Sequence, residues 1–353
     1  MRVALDLSPV TQGDTGVARY TEQLWRALVE QHPELTIEPF VIGRGPYRDD
    51  IDVPRSRLPL RVARPLWRVL GRPRLTRLTG QADLLHVTDG VPVPSRLPLV
   101  LSVHDVLPIT HPHLYSARLR AVSRANVAAA RRARMVVTTC QATADAIAEA
   151  SGISPSAIVV APPGHRGTVA RPNPVGGPTP YILCVGAVTP RKGFQFVARA
   201  LAERPDLPPV VVAGSDGWRA SEVRDEIASL GLGARFRFLG RVSDVELDAL
   251  FDAATVVCHP SIAEGLGIPC LEAMAFGKAV VAADIPPVRE IGGDAVALVP
   301  VASPEALAEV LVSLVAAEAL RVDLGTRACS RAAEYTWQRM ASKIVEAYSL
   351  AAV

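Results

Sequence analysis

The chain has 353 residues, of which 49% are apolar and 21% charged, with a net charge of +3 and five cysteines. That balance supplies core for two domains and excludes the disordered, collagen-like and disulfide-framework classes. The longest uncharged run, residues 172–190, holds five prolines, so it cannot cross a bilayer as a helix.

In chain order, the apolar run 3–5 reads as a strand, followed by the loop Gly13-Asp14-Thr15-Gly16-Val17 and a helical pattern carrying Tyr20, Leu24 and Leu28. Strand-like runs follow at 37–42, 84–87, 99–103, 135–139 and 158–161, with helical stretches at 116–133 and 143–150. Residues 162–180 contain six prolines and four glycines, the composition of a linker. Alternation then resumes. Strands are expected at 181–185, 210–213, 236–239, 256–258, 279–282 and 297–299. Helices are expected at 194–202, 221–230, 244–253, 269–276 and 304–317. Near-continuous apolar strands alternating with helices imply parallel sheets covered on both faces. The expected division is 1–165, a linker at 166–180, 181–334, and a terminal segment 335–353.

Charge is uneven. Residues 1–170 hold 21 basic and 14 acidic side chains, while the remainder hold 17 and 21. Residues 53–82 carry eight arginines and no acid, and residues 106–144, also free of acids, carry six more. Such stretches suit anionic partners or a solvated face. No helix-turn-helix, zinc pattern or aromatic platform accompanies them, so nucleic acid is not expected. The segment 58–78, with Trp67 among arginines, is a candidate for contact with an anionic membrane surface. The absence of an apolar stretch before Asp6, and the scattered cysteines, lead to the expectation of a soluble cytoplasmic protein, peripheral at most to the inner face of the membrane.

The chemistry concentrates in the second half. Glu264-Gly265-Leu266-Gly267-Ile268-Pro269 passes from a buried strand through a glycine loop into a helix, with Pro269 expected at its first position and Gly277 as its stop. Such a junction presents backbone N–H groups and a positive dipole end to a phosphate. Glu264 and Glu272, eight positions apart, can bracket a phosphate-linked molecule; they also read as a surface acid and a first-turn acid. Arg191-Lys192, between a strand and a helix, suit a diphosphate. Gly16 permits close backbone approach, and His104 follows a strand directly.

In this order the Gly16 loop, His104-Asp105, Pro190-Arg191-Lys192-Gly193 and Glu264-x7-Glu272 resemble the family 4 retaining glycosyltransferases. Ala161-Pro162-Pro163-Gly164, Gly240-Arg241-Val242-Ser243-Asp244 and Tyr335-Thr336-Trp337 support the resemblance, which covers nearly the whole chain.

The resemblance implies the α/β architecture called GT-B, two Rossmann-like, doubly wound parallel-sheet domains facing a cleft. The first would be the acceptor side, the second would bind the nucleotide-sugar, and the terminal helix would cross back to the first. It implies a metal-independent hexosyltransferase with no cofactor, whose donor is a nucleotide-sugar, GDP-mannose favoured over UDP-sugars. The acceptor would be a glycan, a lipid-linked sugar or a small molecule. By the same resemblance Glu272 takes the ribose hydroxyls, Glu264 the donor sugar, and the backbone of Gly265, Leu266, Gly267 and Ile268 the sugar hydroxyls and phosphate. Arg191 and Lys192 neutralise the diphosphate, Arg241 and Val242 line the base pocket, Gly16 admits the diphosphate, and His104 lies near the sugar. Many members carry arginine where this chain has Ala187, which places more of the phosphate charge on Arg191. The alternatives are a catalytically degenerate nucleotide-sugar-binding partner, a GT-B sugar-nucleotide epimerase and, from the two carboxylates alone, a glycosidase.

Overall fold

The computed structural model describes residues 1–13, 15–42, 53–56, 67, 80–90, 92, 94–166 and 180–352. Most of the arginines of 53–82 and most of the expected linker lie outside the described residues. Two compact units form. The first comprises Met1–Thr110, Ala117–Gly164 and Tyr335–Val353, the second His111–Ser116 and His165–Glu334.

In the first unit a parallel sheet runs in the order β3-β2-β1-β4-β5-β6-β7. Its strands are β1 (Arg2–Asp6), β2 (Thr36–Ile42), β3 (Arg55–Ser56), β4 (Leu84–Val87), β5 (Leu99–Ser102), β6 (Met135–Thr138) and β7 (Ile158–Val160). The strands read as unbroken apolar runs because both faces are covered. Val3, Leu5, Leu84, Val100 and Val137 point into one core, with the helices Gly16–Gln31 and Trp337–Ala352. Their neighbours Ala4, Leu85, Leu101 and Val136 point into another, with Val127 and Ile147 from the helices Ala117–Ala130 and Gln141–Ser151. The helix Trp337–Ala352 buries Met340, Ala341, Ile344, Ala347, Tyr348 and Ala351, a stripe at helical spacing.

Trp67 is 5% exposed and belongs to the core with Phe40, Ile42 and Val87. This corrects the reading of that indole as a membrane contact, since a ring buried under the sheet offers nothing to a lipid surface.

The second unit's sheet, also parallel, runs β10-β9-β8-β11-β12-β13. Its strands are β8 (Ile182–Val185), β9 (Val210–Ala213), β10 (Phe236–Gly240), β11 (Val256–His259), β12 (Val280–Ala283) and β13 (Ala297–Val299). The order is that of the doubly wound dinucleotide fold, and strand order reverses between β8 and β11. Its core joins Ile182, Val210, Val256 and Val281 to Phe194, Val197, Leu201, Val223, Leu307 and Leu311 of the covering helices.

Among the described residues, two α-helices of the second unit were not expected from the pattern: Pro286–Gly292 and Glu318–Ala332. In the second, the buried residues are Leu324, Gly325, Ala328 and Ala332, a small-residue face with little apolar signal. The expected start at Pro269 moves by one residue. The helix runs Ile268–Ala275 with Gly267 as its N-cap, so proline takes the second position, where it also lacks no intrahelical bond.

Candidate functional site

Ligands of doubly wound sheets bind at the carboxyl ends of the strands, where the order reverses. In the second unit that place is the end of β8 and the end of β11. From β8 the chain passes through Gly186 to the turn Pro190–Lys192, and from β11 through Pro260 to the loop before the helix Ile268–Ala275. The two loops are fastened together. The Ile262 N–H donates to the Arg191 carbonyl at 2.8 Å. Gly193 has φ +72°, and a Cβ there would run into the Pro260 carbonyl. The contact therefore needs glycine both for conformation and for space.

This fastening brings four side chains together. Lys192 Nζ donates to Glu264 Oε1 at 2.6 Å, and Arg191 Nη1 donates to Glu264 Oε2 at 2.8 Å and to the Ala263 carbonyl at 2.5 Å. His259 Nε2 stands 3.5 Å from Glu264 Oε1. Lys192 and Glu264 each expose 9% of their side chain. Burial pushes the Glu264 carboxyl up, yet Lys192, Arg191 and His259 outweigh it and hold it well below the usual carboxylate range. Burial, helped by Arg191, lowers the Lys192 ammonium against the opposing pull of Glu264. Burial also takes His259 down to about 4, Glu264 opposing, so its imidazole is neutral at pH 7. Two cations thus face one carboxylate, leaving a surplus of one positive charge.

In and beside these loops Thr189 Oγ1, Gln195 Oε1, His259 Nε2 and Ser261 Oγ are buried polar atoms with no hydrogen-bond partner among the described residues. An unpaired buried polar atom costs about 1–3 kcal/mol. Four of them at one switch point fit a polar ligand that completes their bonds.

Gly265, Leu266 and Gly267 lead into the helix, with Gly267 at φ +102° as N-cap. Glu272 lies on that helix and is buried. Its Oε1 accepts from Arg166 Nε at 3.0 Å. Arg166 also reaches Asp248 Oδ1 at 2.8 Å and the Asp244 carbonyl at 3.0 Å, both on the helix Asp244–Ala253. The preceding Arg241 is exposed and Val242 half-buried, directly after the end of β10.

Gly16 and His104 belong to the first unit, at the carboxyl edge of its sheet. Gly16 opens the helix Gly16–Gln31, capped by Thr15 Oγ1, which accepts from the Ala18 N–H at 3.1 Å. A Cβ on Gly16 would meet nothing within 4 Å. No crowding inside the chain asks for glycine there. His104 Nε2 donates to the Thr88 carbonyl at 2.9 Å, and the edge of the ring meets Tyr20 at 4.6 Å. In the neutral ring Nδ1 is then an acceptor.

The sequence reading brought forward Arg191, Lys192, Glu264 and Glu272, but not His259, Arg166 or Asp248. His259 had a signal, since it stands at the carboxyl end of β11 much as His104 stands just past the end of β5. Arg166 had none, because the prolines and glycines around it read as linker.

Residues 15–165 match the family described as Glycosyltransferase Family 4, and residues 168–331 the one described as Glycosyl transferases group 1. Each half of the chain thus matches a glycosyltransferase family.

Relatives of this chain include the phosphatidyl-myo-inositol mannosyltransferase of Mycolicibacterium smegmatis, 34% identical over 45% of this chain and 42% of that protein. Another is the D-inositol 3-phosphate glycosyltransferase of Corynebacterium diphtheriae, 31% identical over 62% of this chain and 56% of that protein. The chain spans about half the length of the curated relatives it matches. Among solved structures, Anabaena HepE in complex with UDP-glucose superposes with a TM-score of 0.73, 19% identity and 99% coverage of both chains. That likeness gives the chain the GT-B fold. Among the described residues no helix is long and apolar enough to cross a membrane.

Proposed function

We propose that this chain is a retaining glycosyltransferase that moves a hexose from a nucleoside-diphosphate sugar to an acceptor hydroxyl. The observation that carries the reading is the buried Arg191–Lys192–Glu264–His259 cluster at the second sheet's switch point, beside a helix N-terminus.

In this reading the diphosphate lies against Arg191, Lys192 and the first turn of the helix Ile268–Ala275. These groups stabilise the negative charge that grows on the leaving group as the glycosidic bond breaks. Glu264 exchanges part of its ion pairing for the donor sugar, and Glu272 takes the ribose hydroxyls. Arg241 and Val242 border the base. No protein nucleophile is assigned. The acceptor hydroxyl attacks from the face on which the diphosphate departs, which retains the anomeric configuration.

The mannosyltransferase among the relatives supports GDP-mannose as donor, and the inositol-directed names support a hydroxyl-rich small-molecule or lipid-linked acceptor. A glycan acceptor fits the same chemistry. Arg191, Lys192 and the helix N-terminus supply the positive charge that a divalent cation would bring, so turnover is proposed to be metal-independent.

The test is release of nucleoside diphosphate from GDP-mannose and from UDP-glucose, with and without inositol-type acceptors, in excess EDTA. Acceptor-dependent release from GDP-mannose is expected. Binding without release favours a degenerate binding partner, release from UDP-glucose alone overturns the donor assignment, and loss in EDTA restored by magnesium overturns metal independence.

A further inference from the structure

One guanidinium in the second unit faces three acidic residues. Arg166 Nε donates to Glu272 Oε1 at 3.0 Å, and Nη2 lies 2.8 Å from Asp248 Oδ1. Nη1 donates to the Asp244 carbonyl at 3.0 Å and lies 3.4 Å from the Asp244 carboxylate. The side chains of Arg166 and Glu272 are each 7% exposed and that of Asp248 1%, whereas Asp244 is open to water.

Geometry gives each contact a distinct role. Asp244 and Asp248 are four residues apart on one helix and so share a face. They grip one side of the guanidinium plane, and the opposite helix presents Glu272 to its Nε. At this depth two carboxylates from neighbouring helices oppose each other's charge. A planar cation between them offsets that repulsion, and its Nε–H bond fixes the direction of Glu272. Lysine, a point charge with rotating donors, cannot fix the plane of Glu272 in the same way.

We infer that Arg166 is the positioning residue of the nucleotide's ribose subsite, holding Glu272 in the orientation that accepts ribose hydroxyls. The inference rests on the assignment of Glu272 proposed above. Arg166 touches no substrate in this arrangement and acts through Glu272. Its signature is therefore selectivity for ribose over deoxyribose, which a merely structural arginine would not control.

The experiment is calorimetric titration of the full chain with GDP or UDP, whichever the wild type binds more tightly, and with its 2′-deoxy counterpart. The wild type is expected to prefer the ribonucleotide on the order of tenfold, as for a hydrogen bond to a charged group. In Arg166→Gln the ribonucleotide should weaken to the level of the deoxynucleotide, with deoxynucleotide affinity unchanged. Arg166→Lys should keep only part of the preference, and adding Glu272→Gln to Arg166→Gln should weaken binding no further. An Arg166→Gln protein that keeps the wild-type preference, or that loses affinity for both ligands equally, overturns the inference and leaves the Glu272 assignment standing. A wild type without any preference overturns the Glu272 assignment and the inference with it. If Arg166→Gln does not fold, Arg166→Lys decides: an unreduced preference overturns the inference, and a reduced one supports it.

Discussion

Lys192 and Arg191 both spend their charge within the chain on Glu264, so in the function proposed above a diphosphate entering the site would compete with a carboxylate for the same two cations. That competition separates ground state from transition state, because the diphosphate's claim strengthens only as the glycosidic bond breaks. Lys192→Ala is therefore expected to lower kcat on the order of 10²-fold while raising donor KM by much less. Arg191→Ala should act in the same direction. Steady-state kinetics that move KM alone would reduce the pair to ground-state anchors. Glu272→Gln should instead weaken nucleotide binding by about 1–3 kcal/mol, measured by calorimetry, since it removes a charged acceptor. These residues were legible because their chemistry is local: adjacent cations after a strand, and two acids either side of a glycine loop. Arg166 was not, because its role arises from helices that approach it from 78 and 106 positions away in sequence.

At the scale of elements, the site depends on two loops held in register by one glycine. Gly193 and Gly231 share φ +72°, but a Cβ at Gly193 would collide with the Pro260 carbonyl while one at Gly231 would meet nothing. Gly231→Ala should cost only the left-handed backbone penalty, about 1–2 kcal/mol, with kcat unchanged. Gly193→Ala should cost more than that and lower kcat as well, because it pries Arg191 and Lys192 away from the loop carrying Glu264. Parallel denaturant melts and kinetics of the two variants check this; equal losses would show that the loop contact is incidental. Element boundaries were legible where burial is two-sided, as in β4 and β9, whose residues are all buried. The helix Glu318–Ala332 escaped because it docks through smallness. A Cβ on its Gly325 would strike the Gly277 carbonyl, so the contact is backbone against backbone and leaves no apolar periodicity to read.

At the scale of the whole molecule, the alternation of strands and helices announced two doubly wound sheets, but nothing in it revealed that each unit encloses a neutral histidine. In the first, His86 bonds Tyr348 Oη through Nδ1 at 2.7 Å and Ser102 Oγ through Nε2 at 2.9 Å, tying the helix Trp337–Ala352 to β4 and β5. Burial, reinforced by His104, takes its pKa down to about 3. In the second unit burial takes His259 to about 4. A histidine depressed by folding binds its proton more tightly in the unfolded chain, so stability rises with pH across the window between the two values. For His86 that window runs from the ordinary 6.5 down to about 3, and for His259 down to about 4. Inside it each histidine removes about 1.4 kcal/mol per pH unit on acidification. Glu264 adds to the loss in stronger acid, since its carboxylate is stabilised by folding and that stabilisation disappears as the group protonates. Thermal unfolding should therefore give a Tm that is level above pH 7 and falls steadily from pH 6.5 to 4.5. His86→Gln should melt lower at pH 7.5, having lost a buried network, yet fall less across the same range. A wild-type Tm that stays level down to pH 4.5 would mean that neither histidine is held neutral by the fold.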